Sequence, residues 1–344
     1  MIISASRRTD IPALYPDWFM NRLRAGEVLV PNPYNRKKVS RICLSPDTVD
    51  MIAFWTRNPE PLLPHLAEID ARGYDYYFQV TINDYEDDIE PLAPCKADVM
   101  ASFLLMSEKI GRERMDWRFG PICLDEKYTV AYHLEHFERM CRWLHNATTR
   151  CIVSFADSPR GKVYSGQTTQ KKYPDEGYSG CQNIWRKVQG TGIPGEITQK
   201  DMEELAAGLG AIAARYHLPL YTCSAKADLQ RYGIRQGSCI DKEKIQSLKG
   251  YRLDIRKAAG QRKECHCVEN LDIGMYDTCM NGCHYCYINV KGTHPGTNRK
   301  HEKHDPASPM LLGYLLDDEV VTEKKVFSNR DNQMSLFDMS EILL

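Results

Sequence analysis

The chain has 344 residues, a formal net charge of −1 and a hydrophobic share of 42%. That balance sets up no global field toward nucleic acid or an anionic membrane, although it leaves room for a locally basic site and does not exclude nucleic acid as a partner. No stretch has the apolar length of a membrane span and the first residues lack the order of a signal peptide, so a cytoplasmic protein is expected, with its 13 cysteines serving as thiols or metal ligands rather than disulfides.

From the first residue on, short apolar or β-branched runs alternate with longer amphipathic stretches. Strands are expected near Met1–Ser6, Met51–Trp55, Tyr76–Ile82, Met115–Ile122, Arg150–Phe155 and Leu218–Ser224. Helical patterns lie between them at Trp18–Leu23, Pro61–Asp70, Ala97–Ile110, Val130–His145 and Gln199–Tyr216. Six such units predict an α/β fold, a partial or complete (β/α) TIM-like barrel over residues 1–250. Residues 157–198, rich in Gly, Lys, Tyr and Gln, read as an insertion whose Lys162, Lys171, Lys172 and Arg186 face solvent or a substrate. A cysteine-rich iron–sulfur segment over 251–310 is expected to pack on the barrel mouth. Residues 311–344 read as an extension whose end, from about Asn329, docks weakly or frays.

In a parallel barrel the chemistry gathers at the C-terminal ends of the strands. Here those exits are unusually polar: Arg7, Arg8 and Asp10 after the first strand, Arg57 and Asn58 after the second. Gln79 and Thr81 share one face of the third strand, and Arg118 sits on the fourth. Taken singly, each reads as a cap or a structural ion pair. Jointly they predict a cavity for a charged or polar ligand, since arginines bind carboxylate or phosphate bidentately. Arg7, Arg8, Asp10, Arg57 and Arg118 are therefore the catalytic candidates, with Asn58, Gln79 and Thr81 as cofactor-binding candidates.

The cysteines divide by placement. Cys43, Cys95, Cys123, Cys141, Cys151 and Cys181 are scattered and read as small buried hydrophobes or bystander thiols. Cys279, Cys283 and Cys286 stand at C-x₃-C-x₂-C spacing, with Tyr285 before the last. Three thiolates so placed can hold three irons of a [4Fe–4S] cluster and leave the fourth iron open for chemistry. A zinc knuckle completed by His266 or His284, and a closed electron-transfer cluster completed by Cys265 or Cys267, are the competing readings. The spacing, Tyr285 and the barrel pattern together favour the open iron. Cys223, Cys239, Cys265 and Cys267 predict a separate closed site, a second iron–sulfur cluster or zinc. The plainer alternative gives only Cys265 and Cys267 a part, in folding the loop.

The triad loop resembles the radical S-adenosylmethionine superfamily. That resemblance implies a [4Fe–4S] cluster on Cys279, Cys283 and Cys286, with the amino and carboxylate groups of S-adenosylmethionine on the open iron. One electron would then give a 5′-deoxyadenosyl radical, with Tyr285 near the adenine. From their places after the first and second strands, Arg7, Arg8 and Asn58 are the candidates for holding the cofactor's charged ends. The motif usually follows the first barrel strand in that superfamily, whereas here it follows the sixth expected strand. No Gly-Gly-Glu-like segment follows the second strand. The chain also resembles a bacterial family catalogued as domain of unknown function 1848, through the stretches Ser6–Asp10, Phe54–Pro59 and Asp272–Cys279. The expectation is an enzyme that cleaves S-adenosylmethionine to start radical chemistry on an unidentified polar or anionic substrate, fed by a donor such as flavodoxin or ferredoxin. The rivals are a closed iron–sulfur or zinc protein with an electron-transfer or binding role, and a metal-dependent barrel hydrolase or nuclease with structural cysteines.

Overall fold

The structure, a computed structural model, describes residues 1–156, 197–286, 288 and 303–331. The expected insertion, with Lys162, Lys171, Lys172 and Arg186, therefore lies almost wholly outside the described residues. The strands are β1 (Ile2–Ala5), β2 (Glu27–Asn32), β3 (Asn35–Cys43), β4 (Met51–Thr56), β5 (Tyr76–Thr81), β6 (Met115–Ile122), β7 (Cys151–Phe155), β8 (Leu220–Cys223), β9 (Ile234–Gly237), β10 (Leu271–Asp272) and β11 (Val320–Glu323). The helices are α1 (Ile11–Leu14), α2 (Pro16–Ala25), α3 (Leu66–Ala71), α4 (Lys96–Ile110), α5 (Val130–Leu144), α6 (Gln199–Arg215) and α7 (Lys242–Lys249).

Eight strands form one sheet in the order β10-β1-β4-β5-β6-β7-β8-β9, and every neighbouring pair is parallel. The six strands legible in the sequence occupy consecutive places in it. Strands β9 and β10 extend it at the two edges. No pairing joins β10 to β9, so the sheet is open, and the expected closed form of the barrel is not found among the described residues. The physical reason lies at the edges: β10 offers only two residues for pairing, and the chain leaving β9 turns back across the sheet face. There Tyr77 Oη and Gln79 Nε2 of β5 donate to the carbonyl of Cys239, at 2.7 and 2.5 Å.

Alternation along the strands gives the sheet two buried faces. One carries Ile3, Ile52, Phe54, Tyr76, Phe78, Trp117 and Val153, packed with Trp18, Phe19, Leu66, Phe103, Phe137 and Leu209. At roughly 1.5–3 kcal/mol for each large apolar side chain buried, this layer is the main source of stability. The other face presents Ile2, Met51, Ala53 and Tyr77 to Ile240, Ile245, Leu253, Val268 and the thiols of Cys239, Cys265 and Cys267. Helix starts follow their caps: Thr129 accepts from Tyr132 N before α5, Thr198 and Asp201 form a capping box at α6, and Asp241 accepts from Lys244 N at α7.

At the N-terminal ends of the strands, Asp116 is fully buried between three cationic nitrogens. Arg150 donates to it twice, at 3.0 and 2.8 Å, and Lys244 Nζ once, at 2.7 Å. Burial alone would raise the Asp116 pKa, but Arg150 and Lys244 outweigh it and hold the carboxyl below its ordinary range. Burial also pulls the Lys244 pKa down despite Asp116, so the arginine supplies the more secure charge.

A second, three-stranded sheet, β11-β3-β2, was not legible in the sequence. β3 reads Asn-Arg-Lys-Lys-Val-Ser-Arg-Ile-Cys, too charged to announce a strand, and is held by antiparallel pairing to β2 and parallel pairing to β11. Of the end expected to dock weakly or fray from about Asn329, residues 329–331 are described and are docked. Asn329 N donates to Asp50 Oδ2 at 2.8 Å and Asp331 N to the Arg252 carbonyl at 2.9 Å. Among the described residues no helix is long and apolar enough to cross a membrane.

Candidate metal centre

Because all strands of the main sheet point one way, the exits of β10, β1 and β4 meet at one end. β10 pairs in register with β1, Ile3 opposite Leu271 and Ser4 opposite Asp272. Asp272 fastens this junction: it accepts from Ser4 Oγ, Ser6 Oγ, Arg7 N and Gly274 N at 2.6, 2.7, 2.8 and 3.0 Å. A Cβ on Gly274 would lie 2.0 Å from Ser6 Oγ, so a glycine is required where the two exits run together. Arg7 and Arg8 turn toward the same strand. Arg7 Nη2 donates to Asn270 Oδ1 at 2.9 Å, the Nε atoms of both lie 3.8–3.9 Å from Asp272, and Arg8 covers the Tyr276 ring at 5.3 Å.

The cysteine loop that follows β10 is tied down from two sides. Asp10 caps α1 through Ala13 N, and its Oδ2 accepts from Arg57 N at 2.8 Å and Asn281 Nδ2 at 3.0 Å. One buried carboxylate thus joins the exits of β1 and β4 to the loop, and burial raises its pKa. Tyr15 Oη donates to the Thr278 carbonyl at 2.5 Å, next to Cys279. Gly282 takes φ +66°, giving the left-handed step between Asn281 and Cys283.

Tyr285, expected beside an adenine, places its hydroxyl in a buried charged network. Arg57 Nη1 donates to Tyr285 Oη at 2.6 Å, Tyr285 Oη to Glu90 Oε1 at 2.6 Å, and Arg57 Nη2 to Glu90 Oε2 at 2.5 Å. Asn83 Nδ2 and Lys96 Nζ complete the contacts to Glu90 at 3.1 and 3.2 Å. Burial would raise the Glu90 pKa, yet Arg57, Tyr285, Lys96 and Asn83 hold it below the ordinary carboxylate range. Burial pushes the Cys279 thiol up to about 12 and raises Cys283 as well, Arg57 opposing the latter. Metal binding at these thiols would therefore release protons. Among the described residues, Arg57 Nε and His284 Nδ1 are buried without a hydrogen-bond partner, Arg57 lying near the Cys283 thiol and His284 following it in the chain.

The second set of thiols lies across the same end of the sheet, at the exits of β8 and β9. Cys223 Sγ is 3.1 Å from Cys239 Sγ, Ile240 N donates to Cys267 Sγ at 3.4 Å, and Cys265 is buried in the same apolar cluster. Arg118 Nη1 donates to Cys239 Sγ and to Gln79 Oε1, both at 2.9 Å. Gln79 and Arg118 are thus engaged with this set of thiols. Thr81 pairs in register with Arg118 and is half-buried. Asn58 is engaged in its own turn, Asn58 N donating to Thr56 Oγ1 at 3.0 Å and Asn58 Oδ1 accepting from Glu60 N at 3.1 Å.

Among the described residues, no three His, Cys, Asp or Glu side chains converge as the shell of a single ion. For the triad that is compatible with a cubane, which seats each thiolate on a different iron and so spreads its cysteines wider than one ion does. The donor chemistry also fits: three thiols on one short loop, with the Arg57 guanidinium beside Cys283 to offset their charge. Sequence reasoning missed Glu90, Asn83, Tyr15 and Asn281. Glu90 ends a run with Glu86, Asp87 and Asp88 that reads as a solvated acidic face, so only its burial reveals it.

No curated protein and no solved structure matches the chain. A family model described as domain of unknown function (DUF1848) matches residues 2–288, from the first strand through the cysteine loop, and the chain belongs to that family.

Proposed function

We propose that the protein is an iron–sulfur enzyme that binds S-adenosylmethionine at a [4Fe–4S] cluster on Cys279, Cys283 and Cys286 and uses it to start radical chemistry. The observation that carries this reading is the place of β10. In sequence the cysteine motif comes late, but in space its strand is the sheet edge beside β1. The motif therefore leaves the first position of a parallel sheet, as in the superfamily that the motif resembles, and the partial-barrel reading rests on that order.

When bound, the cluster would supply the vacant iron and the electron for reductive cleavage of the cofactor. The chain's own groups have narrower tasks. The three thiols ligate. Asp10, Asn281 and Tyr15 fix the loop against the exits of β1 and β4. Arg57 keeps a positive charge next to Cys283, offsetting the anionic thiolate shell. Arg7 and Arg8 seat β10 through Asp272 and bring two cations to the exit where a cofactor carboxylate would lie.

The test is anaerobic reconstitution of the full chain, followed by iron and sulfide analysis and product analysis after strong reduction. The expected result is a cluster that disappears when Cys279, Cys283 and Cys286 become alanine, and 5′-deoxyadenosine with methionine from the parent protein. An intact, reducible cluster that neither binds nor cleaves S-adenosylmethionine would move the assignment to electron transfer.

A further inference from the structure

The four upstream thiols gather from distant parts of the chain. Cys223 ends β8, Cys239 follows β9 by two residues, and Cys265 and Cys267 come from the irregular segment after α7. Cys239, Cys265 and Cys267 are buried in one apolar cluster, with Cys223 packed against it. Cys223 Sγ and Cys239 Sγ are in contact at 3.1 Å, and the backbone N–H of Ile240, next to Cys239, donates to Cys267 Sγ at 3.4 Å, which brings the Cys265–Cys267 pair to the same place.

The spacing distinguishes the possible occupants. A tetrahedral zinc shell with Zn–S near 2.3 Å sets its sulfurs about 3.8 Å apart. The four thiols do not yet converge as such a shell. Cys223 and Cys239 are already closer than its spacing of about 3.8 Å, and the other two share their apolar cluster. Binding one ion therefore asks for side-chain rotation, whereas a cubane would have to push the Cys223–Cys239 pair well apart inside packed surroundings. The Arg118 N–H at 2.9 Å from Cys239 Sγ is the outer partner that a net-negative tetrathiolate needs. Gln79 and Tyr77 hold the Cys239 carbonyl from the sheet, so the backbone of this ligand is fixed as well.

We propose that Cys223, Cys239, Cys265 and Cys267 bind a single thiophilic ion, zinc, as a closed structural site separate from the triad. Such an ion fastens the segment 239–268 to the ends of β8 and β9. Apart from α7, that segment has little regular structure with which to seat itself on the inner sheet face. Loading releases the thiol protons to solvent and involves no redox change.

The experiment uses the full chain with Cys279, Cys283 and Cys286 changed to alanine, purified without added metal. Elemental analysis should find about one zinc per chain, and X-ray absorption should find four sulfurs at about 2.3 Å. Adding Cys265→Ser and Cys267→Ser should remove the zinc. Should that variant fail to fold, cobalt exchange into the folded triad variant decides through the intense thiolate-to-cobalt bands of a four-sulfur site. A folded triad variant without metal, iron with acid-labile sulfide in place of zinc, or a Cys223–Cys239 disulfide on non-reducing mass analysis would each overturn the proposal.

Discussion

At the scale of single residues, the site turns on a charge the sequence concealed. Glu90 has almost no exposure and faces Arg57, Lys96, Tyr285 and Asn83. Glu90→Gln leaves Arg57 buried without its counter-ion, a change that typically costs about 3–5 kcal/mol. Denaturant unfolding of the parent and the variant checks this, and a difference below about 1 kcal/mol would show that the network is not holding the loop. Tyr285→Phe removes one hydroxyl that both donates and accepts. It should cost less, about 1–3 kcal/mol, because the Arg57–Glu90 pair survives. Iron retention after reconstitution should fall with both variants and further with Glu90→Gln. The cysteines, Arg57 and Asp10 could be picked out beforehand because their types and positions at strand exits are unusual. Glu90 could not, since an acidic residue in an acidic loop looks solvated until its burial is known.

At the scale of elements, the strands divide the labour between their two ends. At the N-terminal end, Asp116 links β6, the entry to β7 and α7 through Arg150 and Lys244. Its pKa is depressed in the fold, so its stabilising contribution is complete above the unfolded carboxylate range, near 3.9, and is lost as pH falls through the folded value. Asp116→Asn should cost about 3–5 kcal/mol at neutral pH and flatten the acid limb of the stability profile, measured by urea unfolding from pH 7 downward. An acid limb unchanged in the variant would assign acid unfolding to other groups. At the C-terminal end, β10 is the short element on which the triad depends. Asp272→Ala removes the acceptor of four hydrogen bonds around β10 and β1. Iron bound at the triad should fall severalfold while metal at the four-thiol site persists. Equal loss of both metals would point to general unfolding instead. Strands β5 to β8 were readable because alternating apolar runs of ordinary length announce themselves. β10 was not, because two residues carry no periodicity.

At the scale of the whole molecule, chain order and spatial order part company. The sheet begins in space with a strand that comes near the end of the matched family region, and the first residues of the chain take the second place. The α/β class with a large parallel sheet was legible from repeated β-α units. The open edges were not, since they depend on how the chain after β9 crosses the sheet face. The central claim is that the triad presents an open iron to S-adenosylmethionine at this sheet edge. The most direct measurement is electron–nuclear double resonance on the reduced, cluster-loaded protein, given cofactor labelled with ¹⁵N at the methionine amine and ¹⁷O at the carboxylate. The account predicts hyperfine coupling from both labels, reporting chelation to one iron, and its loss when unlabelled cofactor displaces the labelled one. A reduced [4Fe–4S] signal with no coupling to either label, at cofactor concentrations well above the cluster concentration, would contradict it.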